Sequence, residues 1–84
     1  MENAYDRRER TIYVSGMHRS VTEEHLYDLF QKAGPIEKVI LKENQDGSPQ
    51  HALVVFKNVD SVMYSIAYLQ ATQIGDLSIN IRPL

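Results

Sequence analysis

Apolar and polar positions alternate along this chain with two periods, and the switches between them mark the elements. Thr11-Ile12-Tyr13-Val14-Ser15 is β-branched and aromatic and stops at Gly16, which predicts a strand. Thr22 then stands before Glu23 and Glu24, an N-cap followed by acids that suit the positive end of a helix. Leu26, Leu29, Phe30 and Ala33 follow at helical spacing on one face, and Gly34-Pro35 stops the run. Residues 36–42 predict a second strand, Asn44-Gln45-Asp46-Gly47 a turn, and residues 51–56 a third strand. Asp60 is placed as the cap of a second helix reaching about Ala71. Leu77, Ile79 and Ile81 alternate in a fourth strand over residues 77–82.

The order β-α-β-β-α-β, with a right-handed crossover in each half, implies an α+β fold of the ferredoxin-like kind. It is a four-stranded antiparallel sheet with both helices on one face. Residues 1–10 mix charges of both signs without apolar periodicity and are expected to be a flexible arm. Residues 11–84 form the domain. The strand period of two decides what leaves the sheet on the side away from the helices. Ile12, Val14, Ala52, Val54 and Phe56 go towards the helices. Tyr13, Ser15, Lys38, Ile40, Lys42, His51, Leu53, Val55, Asn80 and Arg82 go to the open face.

An 84-residue chain with 43% hydrophobic and 24% charged residues has room for one core and no second. Cysteine is absent, which removes disulfides and thiolate metal sites, and His18, His25 and His51 lack metal-ligand spacing. No cofactor or metal is expected. No apolar run is long enough to span a bilayer, so no membrane partner is expected either. The net charge of -2 lacks the basic excess of many nucleic-acid binders, so any such binding has to rest on local positive charge. Enzymes with this strand and helix order exist, but they need an anion cradle and an activated water. Only Arg19 lies in the first strand-to-helix loop, and no nucleophile–base or paired-carboxylate arrangement is visible. The reading is a binding domain, not an enzyme.

Ile12-Tyr13-Val14-Ser15-Gly16-Met17 resembles the first-strand hexamer of RNA-recognition motifs, and Pro49-Gln50-His51-Ala52-Leu53-Val54-Val55-Phe56 falls where their third-strand octamer falls. The resemblance covers nearly the whole chain. It implies that single-stranded RNA stacks on aromatics at the second hexamer position and the third and fifth octamer positions. Tyr13 matches, His51 replaces the first octamer aromatic, Leu53 the second, and Pro49 the usual basic residue. The implied RNA site is Tyr13, Ser15, His51, Leu53, Lys38, Lys42, Asn80 and Arg82, with Arg7, Arg8 and Arg10 of the arm as further backbone contacts. Binding is expected to be weak and low in sequence selectivity.

Val21-Thr22-Glu23-Glu24, Leu29-Phe30-Gln31-Lys32-Ala33-Gly34-Pro35-Ile36 and Ser61-Val62-Met63-Tyr64-Ser65-Ile66 further resemble the RNA-recognition-motif subunit of the nuclear exosome targeting complex and related splicing-factor subunits. That resemblance implies a nuclear location, often uridine-rich RNA on the sheet, and a proline-rich segment of a scaffold protein docked on the helices. Gly75-Asp76-Leu77-Ser78 departs from the family's Tyr-Gly-basic-Pro pattern.

The second helix points to a protein partner by itself. Val62, Ser65, Ile66 and Leu69 make its core stripe, yet Met63, Tyr64, Ala67 and Tyr68 opposite are largely apolar, and no charge occurs between Asp60 and Asp76. With His25 and Tyr27 of the first helix they are expected to form a protein-docking patch. The alternative is a purely protein-binding domain of the same fold whose sheet has lost RNA affinity.

Overall fold

The computed structural model describes residues 7–70, 73–74 and 77–84, with the backbone alone at 73–74 and 77–78. Its elements are β1 (Thr11–Ser15), α1 (Glu23–Phe30), β2 (Ile36–Glu43), β3 (Pro49–Phe56), α2 (Asp60–Tyr68), β4 (Gln73–Ile74), β5 (Leu77–Ser78) and β6 (Asn80–Pro83). The main sheet runs β2-β3-β1-β6, and every neighbouring pair is antiparallel. β1 and β3 are therefore the central strands, and β2 and β6 are the edges.

The core confirms the predicted division of faces. Leu26 and Phe30 of α1 and Val62 of α2, with Leu69 just after it, join Ile12, Val14, Ala52, Val54, Phe56 and Ile81 in one buried cluster. Only strand residues of one parity meet the helices, so both helices lie on the same side. Phe30 and Phe56 meet edge to face at its centre, ring centroids 6.5 Å apart. Ser65 is fully buried among these residues, and its hydroxyl has no hydrogen-bond partner among the described residues.

Local chemistry sets the boundaries. Thr22 caps α1 as expected: its Oγ1 accepts from the His25 N–H at 3.2 Å, and His25 Nδ1 accepts from the Thr22 N–H at 3.1 Å. A histidine thus fills the reciprocal place of a capping box, where glutamate or glutamine is usual. A 3-10 turn, Gln31–Ala33, carries the chain from α1 to Gly34. Gly34 sits at φ +142°, and a Cβ there would collide with Ser61 Oγ at the start of α2. In the β2–β3 turn Asn44 N–H donates to Ser48 O at 2.8 Å, and Gly47 takes φ +87°. Asp46 Oδ1 accepts from both the Ser48 hydroxyl and N–H, which holds its carboxyl below the usual aspartate range.

Three expectations need correction. Asp60 is not the cap of α2: Val59 occupies that position without a side-chain hydrogen bond, and Asp60 is the first helical residue, where its charge still suits the helix dipole. The helix ends at Tyr68, with Leu69 as its C-cap, whose N–H makes the last i→i−4 bond to Ser65 O at 2.9 Å; Ala71 lies outside the described residues. The fourth strand is not continuous. Leu77–Ser78 pairs with Gln73–Ile74 in a separate two-stranded hairpin, and only Asn80–Pro83 joins the sheet beside β1.

Residues Arg7–Arg10, read as the end of a flexible arm, form a 3-10 turn fastened to the sheet. Arg7 Nη2 lies 2.7 Å from Glu37 Oε2, and Arg10 Nη1 lies 2.9 Å from Glu37 Oε1. Arg10 Nη1 also donates to Phe56 O at 2.8 Å, and Thr11 Oγ1 donates to Arg7 O at 2.6 Å. The Arg10 hydrogen bond and the two guanidinium charges hold the Glu37 carboxyl below the usual glutamate range. Residues 1–6 lie outside the described residues.

Candidate nucleic-acid interface

The register of the sheet places the open-face side chains in rungs. Ile40 of β2 pairs with Leu53 of β3, Leu53 with Tyr13 of β1, and Tyr13 with Arg82 of β6. In the next rung Lys42 pairs with His51, and Ser15 with Asn80. All eight residues expected at the RNA site therefore share one face. Lys38, Lys42, Asn80 and Arg82 are exposed there, and Tyr13, Ser15, His51 and Leu53 are half-buried.

The two rings of this face form a unit. Tyr13 and His51 stack with centroids 5.0 Å apart and planes 17° from parallel. They are diagonal neighbours on adjacent strands, within reach of aromatic side chains. Arg82 places its guanidinium carbon 4.5 Å from the Tyr13 centroid, a cation–π contact. The centre of the sheet thus carries a stacked pair of rings, with the Arg82 guanidinium over the Tyr13 ring and Lys38 and Lys42 on the neighbouring edge strand. No acidic side chain is among the ten open-face positions.

Two open-face expectations change. Val55 has the right parity but is only 2% exposed, because the Arg7–Arg10 turn and Leu84 close over that end of the sheet. Arg7 and Arg10 are engaged with Glu37, and Arg10 is largely buried, so of the arm arginines Arg8 is the one that stands exposed apart from that cluster. These features depend on an ion pair spanning 27 residues of sequence, which no local pattern announces.

On the other side, His25, Tyr27, Met63, Tyr64, Ala67 and Tyr68 are all exposed. Met63 and Tyr68 keep 68% and 73% of their surface, and the rings of Tyr64 and Tyr68 lie 4.9 Å apart along α2. Tyr27 does not extend this patch. It lines a shallow groove with Glu37, Lys38 and Val39 at the β2 edge, while α2 packs near β6, the opposite edge. His25 is tied to the cap of α1 through Nδ1. The expected single patch is therefore an α2 surface, with Tyr27 apart from it.

Among the described residues no cluster of three or more histidine, aspartate or glutamate side chains could hold a metal, and no helix is long and apolar enough to cross a membrane. The model of the RNA recognition motif matches residues 12–80. The chain belongs to the RNA recognition motif family. Its domain is a binding module of that family, not an enzyme.

The domain is 39% identical over 80 residues to the splicing regulator RBM11 of Mus musculus, covering 94% of this chain and 34% of that protein. It is 39% identical over 75 residues to RNA-binding protein 7 of Homo sapiens, covering 88% of this chain and 28% of that protein. The chain thus spans about a third of the length of the curated relatives it matches. Among solved structures, the third RNA-recognition-motif domain of Mip6 superposes with a TM-score of 0.82 at 29% identity, covering 90% of this chain and 93% of that one. An Rna15 RNA-recognition-motif domain with bound RNA (GU) has a TM-score of 0.79 at 21% identity, over 89% and 82% of the two chains, and shows the shared fold.

Proposed function

We propose that the domain binds single-stranded RNA on the open face of its sheet, weakly and with low sequence selectivity. Membership of the family and the RNA-binding names of its relatives support this reading. The single observation that carries it is the Tyr13–His51 stack at the centre of the open face, with Arg82 against Tyr13 and Lys38 and Lys42 beside it. A base gains about 1–3 kcal/mol from stacking on such a ring, and the gain is tolerant of sequence because every base has a π-face. Leu53 offers no ring where a second stack would form, and Pro49 offers no charge. Losing one stack and one charge-assisted contact lowers affinity on the order of 100-fold relative to a complete platform.

The test is a titration of a labelled uridine-rich oligomer at low salt. The wild-type chain binds weakly, and Tyr13→Ala weakens it at least about fivefold. A wild-type chain that shows no binding at low salt removes the proposal.

A second reading stands beside the first and is carried by α2. Met63, Tyr64 and Tyr68 present rings and a thioether to solvent on a helix without charge after Asp60. Flat rings with hydroxyls suit proline-rich segments. In this reading the domain sits in a nuclear RNA-processing or decay complex, sheet to RNA and α2 to a scaffold. A proline-rich peptide then shifts the amide signals of α2 and leaves the sheet signals in place, and Tyr64→Ala abolishes the response. A titration without α2 shifts removes the docking reading and leaves the RNA reading standing.

A further inference from the structure

In the β2–β3 turn an aspartate stands directly before a glycine, Asp46-Gly47, a pair that can react with itself. Asp46 is exposed, and a Cβ at Gly47 would meet nothing within 4 Å, so the Gly47 nitrogen is shielded neither by a side chain of its own nor by a neighbour. Attack of that nitrogen on the Asp46 side-chain carboxyl closes a five-membered ring and needs no encounter with a second molecule. In the folded chain, however, both groups are engaged. Gly47 N–H donates to Asn44 O at 3.0 Å. Asp46 Oδ1 accepts from the Ser48 hydroxyl at 2.6 Å and from the Ser48 N–H at 2.9 Å. The Ser48 hydroxyl in turn accepts from Asn44 Nδ2 at 3.1 Å, and Asn44 Oδ1 accepts from Gln50 Nε2 at 3.2 Å.

We propose that Asp46-Gly47 is a site of covalent modification, isomerisation of the backbone to isoaspartate, which Ser48 holds back in the folded chain. In the first step Gly47 N attacks Asp46 Cγ: the N–Cγ bond forms, and the carboxyl OH leaves with the amide proton as water. In the second step water adds to the resulting succinimide. Opening its bond between Gly47 N and the Asp46 main-chain carbonyl leaves the chain running through Cβ and Cγ, whereas opening N–Cγ restores aspartate. One water leaves, one enters, and nothing is oxidised or reduced. Ser48 opposes the first step twice. Its hydrogen bonds tie the carboxyl to residue 48 instead of leaving it free to turn onto Gly47 N. They also favour the carboxylate over the protonated acid, whose OH is the better leaving group. The consequence reaches the open face. Isoaspartate inserts a methylene into the main chain of the turn that sets Lys42 opposite His51 and Glu43 opposite Pro49. The inference does not depend on what that face binds.

The test ages the whole chain in mildly acidic buffer at physiological temperature, folded and unfolded in urea, and follows the tryptic peptide of residues 43–57. Its aspartyl and isoaspartyl forms have equal mass and are separated by reverse-phase chromatography and electron-transfer fragmentation; deamidation of Asn44 changes the mass and is told apart. The folded wild-type chain is expected to isomerise at least about tenfold more slowly than the unfolded one. Ser48→Ala, which removes the hydroxyl bond and keeps the N–H bond, is expected to speed the folded chain about 2- to 10-fold. Ser48→Thr, which keeps the hydroxyl, is expected to stay at the wild-type rate. The comparison of folded with unfolded wild type needs no substitution, so it stands whether or not Ser48→Ala keeps its hairpin. An unfolded chain that forms no isoaspartate at residue 46 overturns the site. A folded chain as fast as the unfolded one, or a Ser48→Ala rate equal to wild type, overturns the protection by Ser48.

Discussion

Replacing Leu53 by phenylalanine restores a ring at the centre of the platform, and the structure sets the size of the effect. Leu53 is half-buried on the open face, directly across from Tyr13 and beside Ile40, and is not part of the buried cluster under the helices. The substitution therefore leaves the core intact, and a Phe–Tyr cross-strand pair adds about 0.2–1 kcal/mol to the sheet. A base stacked on the new ring gains about 1–3 kcal/mol, less whatever the leucine methyls already gave that base by packing on it. A net gain of about 1–2 kcal/mol corresponds to roughly 5- to 30-fold tighter binding. No charge is added, so the slope of affinity against salt stays the same, which separates stacking from electrostatics. Because residue 53 and Tyr13 are opposite each other, the gain shrinks when Tyr13→Ala is combined with it, a coupling measurable by a double-mutant cycle. Fluorescence anisotropy of a labelled uridine-rich oligomer, read at several salt concentrations, gives all three quantities. A folded Leu53→Phe variant with wild-type affinity would show that bases do not lie across this rung, and the stacking argument fails with it.

Three further outcomes follow from the packing. Gly34→Ala combines a left-handed backbone with a Cβ driven onto the buried Ser61, and should lose about 1–3 kcal/mol, lowering the melting temperature about 4–8 °C for each kcal/mol. Ser65→Ala removes a buried hydroxyl without a partner among the described residues and improves helix propensity, so thermal melting should move upward by an amount worth about 0.5–2 kcal/mol. Glu37 has a lowered folded-state pKa, so its contribution is complete above the ordinary glutamate value of about 4.3 and is lost as pH falls through the folded value. Amide signals of Arg7–Arg10 should therefore titrate below about pH 4.3, and Glu37→Gln should abolish that step; a turn that stays closed in Glu37→Gln at neutral pH argues against the ion pairs as its fastening.

Period-two alternation was enough to sort the strands. Ile12, Val14, Ala52 and Val54 are fully buried, while Tyr13, His51 and Leu53 stand on the other face, as their parity requires. Thr22 was legible as a cap because its side chain acts within its own turn. What escaped was set at long range. Val55 obeys its parity yet is covered, because a segment more than 40 residues earlier folds over it, held by Glu37. Arg7 and Arg10 looked like spare charges because their partner is far away in sequence. The β4–β5 hairpin was merged into a strand since Leu77, Ile79 and Ile81 alternate without a break, and alternation cannot tell which strand a residue pairs with. Tyr27 was grouped with the α2 tyrosines by composition, whereas the sheet order puts their neighbouring strands at opposite edges.

The net charge of -2 counts against RNA only when charges are averaged over the chain, and the fold separates the signs. Lys38, Lys42 and Arg82 stand on the open face and Arg8 at its rim, while Glu23, Glu24 and Asp28 ride on α1 and Asp60 begins α2, behind the sheet. The α1 acids reach the β2 edge, where Glu23, Glu24 and Asp28 line one groove with Lys38, whereas the Tyr13 and His51 rings stand on the central strands β1 and β3. The Debye length at physiological ionic strength is about 8 Å, so the helix-side acids are largely screened from a strand lying on the rings. They are not screened at low salt, where the whole-molecule field repels the polyanion and partly cancels the gain from the basic face. Affinity for RNA should therefore rise less steeply on dilution of salt than a count of open-face cations implies. Neutralising Glu23 and Glu24, at the β2 edge and off the central strands, should steepen that rise more than it alters affinity near physiological salt. An equal gain at all salt concentrations would mean that those acids lie closer to the bound strand than the two-layer arrangement allows.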